Sequence, residues 1–143
     1  MAFPHDYQAT AHAETEGLVR LNAEGLPELA SAPPKEFNGP GDQWSPEDLL
    51  VAAIADCFVL SFRAIAAMSK FTWNELDCNV TGTLDKVERD IQFTAFTVKA
   101  HLKIPADADE SRAQRLLEKA EAACFITNSL KAEPHLEVQI DKV

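Results

Sequence analysis

Basic side chains are scarce in this chain. Thirteen Lys and Arg stand against 23 Asp and Glu, for a net charge of -10 and an isoelectric point near 4.7. A surface of that sign repels phosphate backbones and anionic membranes, which argues against nucleic acid and anionic lipid as partners. Cysteine is also sparse: three in 143 residues do not make a secreted disulfide framework. The opening MAFPHDYQATAHAE has no basic stretch followed by an apolar run, so no signal peptide is expected. The expected setting is the cytoplasm, where a cysteine pair stays reduced unless its task is redox. The four histidines (His5, His12, His101, His135) match no metal-ligand spacing. GPG at 39–41 lacks both the pattern and the preceding strand of a phosphate loop. No repeat or low-complexity tract is present, and chemistry without a cofactor is expected.

What is present suffices for one domain over residues 1–143. Hydrophobic content of 46% and charged content of 25% are those of a soluble globular protein able to bury its own core. Short strands are predicted over Tyr7–Glu14, Leu18–Ala23 and Leu26–Ala30, broken at Gly17 and Gly25. The loop SAPPKEFNGPGDQW then punctuates the chain with three prolines and two glycines, and loops of that length often carry function.

The first helix has a sharp start. Ser45 suits the N-cap, Pro46 the first helical position, and Glu47 and Asp48 put negative charge in the first turn. Trp44 before the cap can staple onto Leu49. The helix is predicted to run to about Lys70. From Leu49 to Met68 only Asp56, Ser61 and Arg63 interrupt apolar and small residues. Two charges near the middle of a membrane span would cost several kcal/mol. A helix apolar nearly all round is instead expected to be buried all round, which a small subunit achieves most economically with a second copy.

A β-hairpin follows. Leu76, Cys78, Val80 and Leu84 alternate, Glu88-Arg89-Asp90 form the turn, and the return strand runs Ile91–Ile104. Its apolar phase is odd at Ile91 and Phe93 but even from Phe96 to Ile104, which predicts a bulge near Ala95. Pro105 stops the strand. A second helix, about Asp109 to Cys124, places Ala113, Leu117, Ala120 and Cys124 on one face. A helical turn through Ile126–Lys131 and a strand at Leu136, Val138 and Ile140 complete an α+β chain.

The chemistry-bearing residues are Cys57 and Cys124, two thiols in apolar helical stretches where Ala or Leu would pack as well. Meeting across an interface, one could attack an oxidant and the other resolve the product. Equally, a free Cys is a small hydrophobe that packs a core. Cys78 falls on the inward phase of a strand and reads as structural. A fast thiol needs a lowered pKa. Cys57 lies three turns into its helix, beyond much help from the macrodipole, and Asp56 beside it works the wrong way. A cation from the preceding loop or an early strand is therefore expected.

FNGPGDQWSPEDLLVAAIADCF, followed downstream by RLLEKAEAACFITNSL, resembles the OsmC/Ohr family (osmotically inducible protein C and organic hydroperoxide resistance protein) from about Gly17 to Val143. The resemblance implies an OsmC-like fold in which antiparallel sheets enclose two central helices of an intertwined homodimer. It implies a peroxidase of organic hydroperoxides, recharged by a dithiol of the lipoyl type. By position Cys57 matches the attacking cysteine, Cys124 the resolving one, and Glu47 the glutamate that orients an activating arginine. Where the hydroperoxide-resistance branch has that arginine, an ungapped count back from Pro34-Lys35-Glu36 finds Glu16, and Arg20 is the nearby substitute. Phe58, Phe62 and Phe125 are candidates for an apolar wall favouring organic peroxides. The competing readings are an OsmC-fold dimer that binds an apolar ligand or senses oxidants, and a purely structural dimer.

Overall fold

The computed structural model describes residues 2–143. They form two compact units, one ending at Leu50 and the other running Val51–Val143.

The first unit carries a small antiparallel sheet of β1 (Thr10–His12), β2 (Val19–Asn22) and β3 (Leu29–Ser31), in that order. The three strands are shorter than their sequence patterns predict. Gly17 (φ 95°) and Gly25 (φ 78°) supply the left-handed backbone of the two turns. The long loop after β3 is closed at its base by Ala32 N–H donating to the Trp44 carbonyl at 2.9 Å. Inside it Gly39 is obligatory, because a Cβ there would lie 1.7 Å from the Pro33 carbonyl oxygen.

Helix α1 spans Pro46–Met68. Its start follows the local code: Ser45 Oγ accepts from Asp48 N–H at 3.0 Å, and Asp48 Oδ2 accepts from Ser45 N–H at 3.2 Å. This is a capping box with Asp in the usual Glu position. The helix ends in a Schellman turn, Phe71 N–H to Ala66 O and Lys70 N–H to Ala67 O, with Lys70 left-handed at φ 54°. The Arg112 side chain donates to the Ser69 carbonyl and lies over the Phe71 ring, tying this end to the next helix.

The second unit is built on a sheet of β4 (Glu75–Val87), β5 (Asp90–Ile104) and β6 (Pro134–Lys142), in that order. β4 and β5 form the expected hairpin, with Glu88 left-handed in the turn. Thr83 faces Ala95 while Leu84 faces Phe93, so Thr94 is the extra residue that absorbs the change of apolar phase. β5 and β6 pair in parallel, making this sheet mixed rather than antiparallel throughout. The connection holds α2 (Glu110–Ala122) and the short α3 (Phe125–Asn128). Asp109 caps α2, its Oδ1 accepting from the N–H groups of Ser111 and Arg112 at 3.0 and 3.2 Å.

The core of this unit is the inward phase of β5 (Phe96, Val98, Ala100, Leu102, Ile104), one stripe of α2 (Ala113, Leu117, Ala120) and one stripe of α1 (Ile54, Phe58, Phe62, Ala66). Gly82 of β4 lets α1 approach: a Cβ on it would meet Val51 Cγ1 at 2.9 Å and the Phe93 ring at 3.0 Å. Only that single stripe of α1 is buried. Leu60 stays 49% exposed, and Asp56, Arg63, Ala64 and Ala67 are exposed as well. The helix is long and apolar enough to cross a membrane by length and composition alone. The burial all round that its sequence predicts is not supplied within one subunit.

Candidate functional site

The site begins with a break between helices. An uninterrupted helix to Cys124 is the sequence expectation, but α2 ends at Ala122 and Cys124 adopts an extended conformation (φ -69°, ψ 112°) as the N-cap of α3. The joint is well held. Cys124 N–H donates to Glu121 O at 3.2 Å, and Asn128 Nδ2 donates to Ala122 O at 3.2 Å. Asn128 N–H and Thr127 Oγ1 both donate to the Cys124 carbonyl. A fresh helix start leaves its first N–H groups without intrahelical partners. Those of Phe125 and Ile126 help to lower the Cys57 thiol.

Cys57 is half-buried on α1, and its Sγ lies 4.0 Å from the hydroxyl oxygen of Ser61, one turn later. Burial alone pushes the Cys57 thiol up. Hydrogen bonds from the Ile126 N–H, the Cys124 side chain, the Phe125 N–H and the Ser61 hydroxyl, in falling order, pull it down, and together they leave it below the ordinary thiol value. The groups that lower the thiol are all neutral donors. The cation expected from the sequence is not among these groups.

Cys124, 1% exposed and like Cys57 a free thiol, is among the groups that lower the Cys57 thiol. The fold therefore brings the two sequence-nominated cysteines together from α1 and the α2–α3 joint. Cys78, inward on β4, is pushed up to about 11, first by burial and then by the neighbouring Cys124. It is a poor nucleophile at neutral pH.

The other two nominated residues belong to the first unit. Arg20 Nη1 bonds Glu28 Oε2 at 3.0 Å on an exposed face of the small sheet. Glu47 is half-buried in the first turn of α1, and its Oε1 is buried with no hydrogen-bond partner among the described residues. Arg20 and Glu47 do not pair within this chain. Of the proposed apolar wall, Phe58 and Phe62 are fully buried core residues, Phe62 edge-on to Trp73 at 5.3 Å between centroids. Phe125, 76% exposed, is the one that can line an approach. His101 pairs with Asp141 at 2.6 Å and His135 with Glu137 at 3.6 Å. No group of three or more His, Cys, Asp or Glu arranged to hold a metal occurs among the described residues.

Two features escape the sequence reading. Ser61 had a usable signal, its i+4 spacing from Cys57. The amides of Phe125 and Ile126 had none, since Ala122-Ala123-Cys124 contains no helix-breaking residue.

A family model described as OsmC-like protein matches residues 39–139. The Escherichia coli protein named peroxiredoxin OsmC is 31% identical over 96 residues, which cover 67% of this chain and 66% of that protein. The match thus spans about two thirds of that relative's length. A Xanthomonas axonopodis protein named organic hydroperoxide resistance protein is 26% identical over 136 residues, 92% of this chain and 93% of that one. Among solved structures, an OsmC-like protein of unknown function from Vibrio cholerae is similar in fold at a TM-score of 0.86 and 18% identity, covering 95% of this chain and all of that one.

Proposed function

This chain belongs to the OsmC-like protein family, and from that premise we propose that it is a thiol-dependent peroxidase reducing organic hydroperoxides through Cys57 and Cys124. The Cys57 thiolate attacks the outer oxygen of the hydroperoxide. The O–O bond breaks, its electron pair leaves with the inner oxygen, and a proton converts that alkoxide to the alcohol. Cys57 is left as a sulfenic acid. The Cys124 sulfur then attacks the Cys57 sulfur, water leaves, and a disulfide forms. An external dithiol, of the lipoyl type in this reading, reduces the disulfide by two electrons and restores both thiols. The observation that carries the proposal is a Cys57 thiol held below its ordinary value with Cys124 among the neighbours that lower it.

The names of the relatives support the substrate class, and Phe125 offers an apolar approach. The family model spans residues 39–139 and so includes parts of both compact units, which we take to act as one domain. A homodimer belongs to the same proposal. The exposed face of α1 is centred on Leu60 and flanked by small residues and by two opposite charges, Asp56 and Arg63. A second copy crossing antiparallel at Leu60 would cover this face and set Asp56 of each copy against Arg63 of the other. The proposed setting is the cytoplasm, where a dithiol donor is available.

The test is intact-mass analysis after one equivalent of cumene hydroperoxide, with and without a dithiol. Wild type should lose two protons and two titratable thiols, and recover both with the dithiol. Cys124→Ser should stop at a trappable sulfenic acid, and Cys57→Ser should be inert. Peroxide consumption by Cys57→Ser at the wild-type rate would refute the proposal. The alternative, an apolar-ligand dimer that packs or senses with its cysteines, draws on one observation: Arg20 is engaged with Glu28 while the Glu47 Oε1 has no partner among the described residues.

A further inference from the structure

Ser61 is out of character for its position. A serine inside a helix commonly turns its hydroxyl back to the carbonyl four residues earlier. Here the partner is the side chain four residues earlier, with Ser61 Oγ 4.0 Å from Cys57 Sγ. The two residues share a side of α1 adjoining the buried stripe, and both are half-buried. The separation suits a neutral thiol beside a hydroxyl whose hydrogen is free to rotate. Charge on the sulfur would draw the same pair closer, since hydrogen bonds to ionised acceptors are shorter and stronger.

We propose that Ser61 is a positioning residue for Cys57, its hydroxyl donating to the thiolate and holding the reactive sulfur toward the α2–α3 joint. The catalytic part of this role rests on the peroxidase reading. The effect on the thiol does not. Among the side chains that support the thiolate, Cys124 loses its S–H when it resolves the sulfenic acid, whereas Ser61 stays a donor through every step. Ser61 is also a donor that burial does not neutralise, unlike a lysine. Its bond joins those of Cys124, Phe125 and Ile126 in holding the thiol below its ordinary value.

The test compares wild type, Ser61→Ala and Ser61→Thr. For each, the rate of Cys57 alkylation by iodoacetamide is followed by peptide mass spectrometry from pH 5 to 10, together with the second-order rate with cumene hydroperoxide. Ser61→Ala should move the midpoint of the alkylation profile upward and slow the reaction at pH 7 by about two- to fourfold, while the more basic thiolate raises the high-pH plateau by about two- to threefold. Ser61→Thr, which keeps the hydroxyl, should restore both the midpoint and the plateau of wild type. An unmoved midpoint, a loss equal at every pH, or a failure of Thr to restore the profile would overturn the inference. If wild type ignores the hydroperoxide while Ser61→Ala still shifts the alkylation midpoint, the peroxidase reading falls and the assignment of Ser61 to the thiol stands.

Discussion

The three cysteines should separate sharply in reactivity, and the size of that separation follows from their surroundings. Cys78 is moved from an ordinary 9.0 to about 11. Well below both values, each unit of pKa costs a factor of ten in thiolate, so protonation alone makes Cys78 about a hundredfold less ionised than an ordinary thiol. A more basic thiolate is intrinsically more nucleophilic. With a Brønsted coefficient of about 0.4–0.5, two units return roughly six- to tenfold. The net is a thiol about ten times slower than an ordinary one, before any steric shielding. Cys57 departs in the opposite direction, because a thiol held below its ordinary value is thiolate at lower pH. Brief iodoacetamide pulses at pH 7.5, followed by mass spectrometry of the three cysteine peptides, should therefore mark Cys57 at least tenfold faster than Cys78. The buried Cys124 should follow behind Cys57. In 8 M urea the three should converge, since the differences come from the fold. Cys78 labelled within threefold of Cys57 in the native protein would refute the assignment of nucleophile and bystander.

The approach of α1 to β4 predicts that Gly82→Ala, which forces a Cβ to 2.9 Å from Val51 Cγ1 and 3.0 Å from the Phe93 ring, destabilises by about 1–3 kcal/mol. Urea unfolding measures this, and adding Val51→Ala should recover part of the loss. Ser45→Ala breaks the capping box with Asp48 and should lower stability by about 1 kcal/mol, with the thermal midpoint as readout. If two copies cross at Leu60, Asp56→Arg should weaken association in sedimentation experiments and Asp56→Arg with Arg63→Asp should restore it. An unchanged dissociation constant in the single variant would rule out that register.

The start of α1 and much of the second unit were legible residue by residue. The start of α1 was readable because a capping box is made by neighbours in sequence. The bulge was readable because a strand with one buried face records its phase in its apolar residues, and the slip between Phe93 and Phe96 is compensated at Thr94. The parallel pairing of β5 and β6 was not readable. An alternating strand carries no mark of the direction of its neighbour. The same limit explains the shorter strands of the first unit, whose patterns extend beyond the residues that find partners.

At the candidate site the sequence nominated the two thiols, since cysteines in apolar helices have no packing advantage over Ala or Leu. It also fixed the spacing that puts Ser61 one turn from Cys57. Tertiary structure decided that Cys124 is among the groups that lower the Cys57 thiol, and that Arg20 pairs with Glu28. It also decided what lowers the Cys57 thiol. A helix of Ala, Ala and Cys has every local reason to continue, yet α2 stops before Cys124 and α3 starts anew. That break frees two backbone amides for the sulfur. Every residue carries a backbone amide, so no choice of side chain can announce which ones are free, and only the folded path of the chain determines where they point.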